Sequence, residues 1–346
     1  MDTITTVGID LAKNVFQVHA IDATGAVIVS KAVRRAGLLA LLGKFPPCLM
    51  GIEACATSHH WARELIKLGH TVRLIPPAYV KAYVRRQKND AADAAAICEA
   101  VSRPSMRFVP VKSVDQQAAL MLHRVRALLV SQRTALICAL RGHMAEFGII
   151  APVGPRNIAP LLAIVADGAD ERLPTLARSA LKPLARRMTM LKLEIERLDR
   201  QLQGWHRSNA VSQRLATIPG VGPLTATALA ATIADPSLFR SGREFAAFLG
   251  LVPRQSSSGG KERLGRISKM GDRYLRTLLV VGATAVLRHA KAGGSTSRVW
   301  AEALLARKPF KLVAVALANK TARIAWAVMA RGEVFREGAV SRAQAA

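Results

Sequence analysis

Four acidic residues stand apart in a chain otherwise dominated by lysine and arginine: Asp10, Glu53, Asp90 and Asp93. Asp10 closes the apolar run Val7-Gly8-Ile9, and Glu53 closes Leu49-Met50-Gly51-Ile52. An unpaired acid ending a buried strand is costly, so both call for a cation or a partner. Asp90 and Asp93 lie three apart in Lys88-Asn89-Asp90-Ala91-Ala92-Asp93, a spacing that puts both on one face of a helix. Asp90 could also serve merely as a helix N-cap. Carboxylates from two strands and a helix suit Mg²⁺, which takes oxygen ligands and keeps room for substrate phosphate oxygens. Two such ions about 3.5–4 Å apart can clamp the attacking and leaving oxygens of a phosphodiester. Mn²⁺ is the alternative ion for the same ligands.

A second constellation runs from Gly250 to Lys261, where Ser256-Ser257-Ser258 precede Gly259-Gly260. Arg254, Lys261, Arg263 and Arg266 surround it. Glycine lets a backbone approach a phosphate closely, and arginine or lysine stabilises charge on a transferring phosphoryl group. A serine there could become covalently linked to phosphate and conserve the bond energy. The same composition also describes a plain linker. A third feature, Ile218-Pro219-Gly220-Val221-Gly222-Pro223, places Gly220 and Gly222 in a tight turn before an apolar helix. It looks like a helix-hairpin-helix element, whose backbone amides can face a nucleic-acid phosphate. His59, His60 and His143 have no metal-ligand spacing.

Cys48, Cys55, Cys98 and Cys138 show no CxxC pattern and read as small buried apolar residues in a reducing cytoplasm. The chain has 346 residues, with 50 Lys plus Arg against 23 Asp plus Glu, for a net charge of +27. That excess spans the whole length and attracts nucleic acid or an anionic surface. The N-terminus lacks the pattern of a signal peptide. The apolar stretches 278–287 and 312–317 are too short to span a bilayer, Lys320 and Arg323 interrupting the second. The expectation is a soluble cytoplasmic protein, nucleoid-associated, with no membrane partner.

The elements that must position these residues follow from periodicity. Residues 4–10, 15–21 and 26–30 read as strands, the last two joined by the turn Asp22-Ala23-Thr24-Gly25. Helices are predicted over 35–44, 58–68 and 91–101, and further strands over 48–53 and 71–75. The order β-β-β-α-β-α-β-α is that of a ribonuclease-H-like domain, with the first strand central and Asp10 beside Glu53. A long basic helix covers 116–147, and the Pro/Gly stretch 150–155 breaks the chain. A second long helix fits 176–205, where Leu184, Met188, Leu191, Ile195, Leu198 and Leu202 recur at three and four. That stripe suits a coiled-coil arm or dimer seam, or equally a helix packed on its own domain. The fold class is therefore α/β plus all-α, in three segments. Residues 1–112 form the carboxylate-bearing domain, 113–210 the long helices or linker, and 211–346 a mostly helical domain with the glycine turn and serine loop.

Taken together these residues resemble the IS110-family transposases, most closely their IS1111 branch. The resemblance rests on Gly8-Ile9-Asp10-Leu11-Ala12-Lys13, Gly51-Ile52-Glu53-Ala54 and Arg86-Gln87-Lys88-Asn89-Asp90-Ala91-Ala92-Asp93. Pro219-Gly220-Val221-Gly222 and the run from Gly250-Leu251-Val252-Pro253 to Gly271-Asp272-Arg273-Tyr274-Leu275-Arg276 complete it. The resemblance implies a RuvC-like domain whose DEDD tetrad, here Asp10, Glu53, Asp90 and Asp93, binds Mg²⁺. It also implies a transposase domain with a catalytic serine within Ser256–Ser258, Ser257 favoured and Ser258 next. It further implies DNA recombination through a circular intermediate, guided by a structured element-encoded bridge or seek RNA and carried out by a homodimer or homotetramer. A RuvC-like Holliday-junction nuclease needs the same acids but no serine. A sugar-kinase or actin-like ATPase and a non-catalytic architectural nucleic-acid binder are the remaining alternatives.

Overall fold

The computed structural model describes residues 3–84, 89–289 and 296–336. Arg86, Gln87 and Lys88 of the third motif lie outside the described residues, as do Met1 and Asp2. The chain divides into two compact units, Met1–Ser113 and Val114–Ala346.

In the first unit, β1 (Thr6–Asp10), β2 (Val15–Ile21), β3 (Val27–Arg34), β4 (Leu49–Glu53) and β5 (Thr71–Ile75) form one mixed sheet in the order β3-β2-β1-β4-β5. β1 pairs antiparallel with β2 and parallel with β4, so it lies in the middle of the sheet. β3 runs four residues past its expected end at 30, as far as Arg34. It is an edge strand, so Lys31 and Arg34 continue the ladder while their side chains stay in water. The expected helix over 35–44 shortens to α1 (Leu38–Leu42) after a single 3₁₀ turn. α2 (Ser58–Lys67), α3 (Pro77–Val80) and α4 (Asp90–Val101) complete the unit. Its core includes Phe16 edge-on to Trp61 at 5.1 Å, packed with Val7, Ile9, Met50 and Ile52.

The second unit opens with α5 (Val114–Ala145), followed by α6 (Ala159–Ala166), which periodicity did not reveal, and α7 (Thr175–Ser208). α5 and α7 run antiparallel. Near one end of the pair Trp205 Nε1 donates to Asp115 at 2.9 Å, and further along Arg126 grips Asp199 with two nitrogens. Towards the other end Leu181 and Met188 pack with Leu140 and Met144. Leu191, Ile195, Leu198 and Leu202 are buried too. The apolar stripe of α7 is thus consumed inside its own unit, and the reading of it as a dimer seam is corrected.

α8 (Ala210–Leu215), α9 (Pro223–Thr232), α10 (Gly242–Phe248), α11 (Arg273–His289), α12 (Thr296–Leu305) and α13 (Phe310–Arg331) build the remaining core. α13 is long and apolar enough to cross a membrane by length and composition alone, and half of its apolar window is buried against this core. Between α10 and α11 the chain forms a hairpin, β6 (Pro253–Gln255) with β7 (Leu264–Ile267).

One buried polar link ties α5 to this core. His123 Nε2 lies 3.1 Å from Thr227 Oγ1, and its Nδ1 lies 3.0 Å from the Tyr274 hydroxyl. Thr227 donates its own proton to the Pro223 carbonyl at 2.7 Å, so it accepts from Nε2–H, and Nδ1 accepts from Tyr274. The neutral ring is fully satisfied. Burial, aided by the Arg126 charge, pushes His123 down to about 4. Its unfolded value near 6.5 means the unfolded chain takes up a proton first, so the stabilisation is complete above pH 6.5 and is lost as pH falls towards 4. Denaturant melts should therefore lose about 3 kcal/mol across that window. His123→Leu should flatten the slope; an unchanged slope would remove His123 as its cause.

Candidate active site: an acidic cluster and a serine hairpin

Two glycines explain how the first unit gathers its acids. Gly8 and Gly51 face each other in register on β1 and β4. A Cβ on Gly8 would stand 2.2 Å from the Ala94 carbonyl oxygen, and one on Gly51 would stand 2.8 Å from Val101 Cβ. Here α4 lies almost directly on the sheet backbone, and its alanines keep the other side of the contact thin. Strand residues two apart share a face. Asp10 therefore projects on the side of Gly8, and Glu53 on the side of Gly51, both towards α4. Cys98 Sγ lies 3.7 Å from the Thr6 carbonyl, so α4 runs antiparallel to β1 and brings its first turn to the strand ends.

Asp10, Asp90 and Asp93 consequently offer carboxylate oxygens that all lie within 4.8 Å of one another. Opposite ligands of octahedral Mg²⁺ stand about 4.2 Å apart, so the donor set fits a hard divalent ion with small side-chain adjustment. Glu53 is the fourth member by electrostatics. Burial raises its carboxyl above the ordinary range, and the charges of Asp10 and Asp93 raise it further. A cation among these groups would remove that repulsion. Asn89 is the N-cap of α4, its side chain accepting from the Ala91 and Ala92 amides. Asp90 is therefore the first helical residue and not the cap.

Among the described residues, no histidine or cysteine joins this cluster as a ligand. His59 Nδ1 accepts from the Lys112 amide at 3.2 Å, and His60 packs edge-on to Trp61. Burial lifts the thiols of Cys48 and Cys98 to about 11, which keeps them protonated. Cys55 and Cys138 are exposed, contrary to the expectation that all four would be buried.

In the second unit the serine loop is the tip of the β6–β7 hairpin and not an open linker. Gly259 and Gly260 take φ of 57° and 75°, the left-handed pair that a two-residue hairpin turn requires, and Lys261 N closes the turn on Ser258 O at 3.1 Å. The base is fixed from several directions. Arg276 Nη1 donates to the Leu249 and Met270 carbonyls at 2.9 Å each, and Asn319 Nδ2 donates to Leu251 O at 3.0 Å. Gly250 sits against the Met270 backbone, where a Cβ would meet the carbonyl oxygen at 2.2 Å.

Arg254, Arg263 and Arg266 line one groove of about 460 Å³, joined by Ser256 and by Lys269, whose φ is 55°. Lys261 does not line this groove. Sequence alone gives Ser256 no preference over its neighbours, and Lys269 carries no signal there at all. Ser257 faces other partners: its Oγ accepts from Gln255 Nε2 at 3.1 Å and from Arg263 N at 3.2 Å. Gly220, with φ 81°, packs its backbone against Gly282 of α11, while Gly222 leads openly into α9.

Comparison with known proteins gives one consistent result. Residues 212–297 match the Transposase IS116/IS110/IS902 family, and residues 7–149 match a transposase domain of the IS110 DEDD type. The transposase for insertion sequence element IS1111A of Coxiella burnetii is 40% identical over 98% of this chain and 93% of its own length. The transposase for IS1328 of Yersinia enterocolitica is 41% identical over 97% of this chain and 99% of its own. The pilin gene-inverting protein of Moraxella lacunata is 26% identical, covering 66% of this chain and 62% of its own.

Proposed function

We propose, from the premise that this chain belongs to the IS116/IS110/IS902 transposase family and is a DNA transposase, that it exchanges strands with a carboxylate tetrad and a serine nucleophile. The observation that carries the reading is the convergence of Asp10, Asp90 and Asp93 at the strand ends, with Glu53 electrostatically coupled to them. In this reading Asp10, Glu53, Asp90 and Asp93 hold Mg²⁺, or alternatively Mn²⁺. The ion would supply polarisation of a phosphodiester oxygen.

Ser257 Oγ attacks phosphorus, its proton passing to water, while the bond to the leaving O3′ breaks and that oxygen takes up a proton. The serine–phosphate link keeps the bond energy, and a free 3′-hydroxyl on the exchanged strand reverses it. Arg254, Lys261, Arg263 and Arg266 neutralise phosphate charge around the tip. The mixed five-stranded sheet with a central first strand supports a RuvC-like assignment for the first unit. The α8–turn–α9 segment serves as the helix-hairpin-helix, with Gly222 at its phosphate-facing end and Gly220 as packing. The DNA partner is joined by a structured guide RNA, which selects sequence by pairing while the basic surface holds backbones. The working assembly is a homodimer or homotetramer whose seam lies away from the α7 stripe.

A suicide DNA substrate tests this. Wild type should leave a covalent protein–DNA adduct that Ser257→Ala cannot form, whereas Ser256→Ala and Ser258→Ala still do. Cleavage without any adduct would favour the Holliday-junction nuclease. Sequencing of RNA copurified from native cells should recover an element-derived transcript, and recovery of ribosomal fragments alone would count against the guide.

A further inference from the structure

We propose that Gln255 is a positioning residue that holds Ser257 in its attacking orientation and stabilises the oxygen as its proton departs. This rests on the serine-nucleophile reading above and adds to it how the hydroxyl is prepared. Two donors converge on Ser257 Oγ, Gln255 Nε2 at 3.1 Å and the Arg263 amide at 3.2 Å. They come from opposite arms of one hairpin, whose register is tied beside them by Ser256 N to Arg263 O at 2.9 Å. A hydroxyl has two lone pairs, and here both are engaged. Its own proton must point elsewhere, and the electron pair left behind when that proton goes to water faces the direction of attack. As the Oγ–P bond forms and the O3′ bond breaks, both donors hold the serine oxygen, and the leaving oxygen takes a proton from water.

The amide contributes in a way that nearby charge does not. Arg254 on β6, Lys261 in the tip, Arg263 leading into β7, Arg266 on β7 and Lys269 beyond it set a net positive field that Glu262 offsets only in part. Field alone does not orient a hydroxyl; a side chain two residues upstream with a donor 3.1 Å from the oxygen does. Gln255 is exposed and packs into no core, so its replacement should leave the hairpin anchored at Arg276 and Asn319.

The test uses a thiol as a reporter that needs no DNA chemistry. In full-length Ser257→Cys, with the exposed Cys55 and Cys138 changed to Ser, the pH dependence of alkylation by iodoacetamide at residue 257, followed by peptide mass spectrometry, should report a thiol below the ordinary ~8.5. Adding Gln255→Met, similar in shape but without a donor, should raise it by about one unit, roughly tenfold less thiolate at neutral pH. Lys261→Met removes charge without touching Oγ and should move it less. In the native-serine protein, Gln255→Met should slow adduct formation at saturating DNA by ~10–100-fold with DNA affinity unchanged. Equal thiol behaviour with and without Gln255→Met, or an equal shift from Lys261→Met, overturns the proposal. If wild type forms no adduct while the thiol responds as expected, the nucleophile reading fails and the positioning of residue 257 by Gln255 stands.

Discussion

Asp93→Asn should abolish DNA strand exchange, lowering its rate on the order of 1000-fold or more, while the protein stays folded and still binds DNA. The substitution keeps the shape of the side chain and removes one negative charge from three carboxylates whose oxygens lie within 4.8 Å of one another. Asp93 also acts on Glu53, whose carboxyl it helps to raise. Losing that charge eases the repulsion, so the folded state should not suffer. Asp10→Asn should behave alike because it touches the same cluster. Plasmid recombination assays give the rate, circular dichroism the fold, and titration of labelled DNA the affinity. Normal recombination by either variant would sink the tetrad, and an architectural binder would be indifferent to both.

Gly8→Val is expected to be the most damaging change to the fold of the first unit. The new Cβ would meet the Ala94 carbonyl at 2.2 Å and the Cys98 amide at 2.4 Å, both backbone atoms that no rotamer can move. Accommodating it requires α4 to lift from the sheet, at a cost of about 3 kcal/mol or more. Denaturant unfolding should show this, and activity should fall further than stability because Asp90 and Asp93 ride on the displaced helix. Gly142→Ala is the natural contrast. It sits in α5, where an added Cβ would meet nothing within 4 Å, so it should stabilise by about 0.5–1 kcal/mol. If Gly8→Val melts like wild type, the close approach of α4 is not what sets the cluster.

The contrast between these glycines also marks what sequence can convey. β2 and β5 have the expected bounds because apolar positions (Phe16, Val18 and Ala20; Val72 and Leu74) recur every second residue between turn signals, which leaves little else to fit. The acids ending β1 and β4 are visible for the same reason. The task of Gly8 and Gly51 is not, since it depends on a helix about ninety residues away from β1 and about forty from β4. The β6–β7 hairpin is hidden because its strands are three and four residues long, almost wholly exposed, and carry no alternation. The stripe on α7 is plain in the sequence, but a stripe does not name its partner, and α5 offers a matching apolar face. Gln255 looks like any polar residue before a loop; only the fold of the tip over Gly259 and Gly260 brings it to Ser257.

α4 begins with its acids. Asp90 and Asp93 occupy the first turn, above the amides that Asn89 caps only in part. The positive end of the helix dipole already offsets some of the charge crowded there. The centre is therefore suited to being loaded and emptied reversibly. Chelator should stop the reaction yet leave the thermal unfolding of the protein nearly where it was, and returned Mg²⁺ should restore activity without a refolding step. On the proposed metal-dependent mechanism, such a protein would be made, stored and bound to DNA in a silent state, with ion occupancy acting as a throttle on chemistry and not as a scaffold.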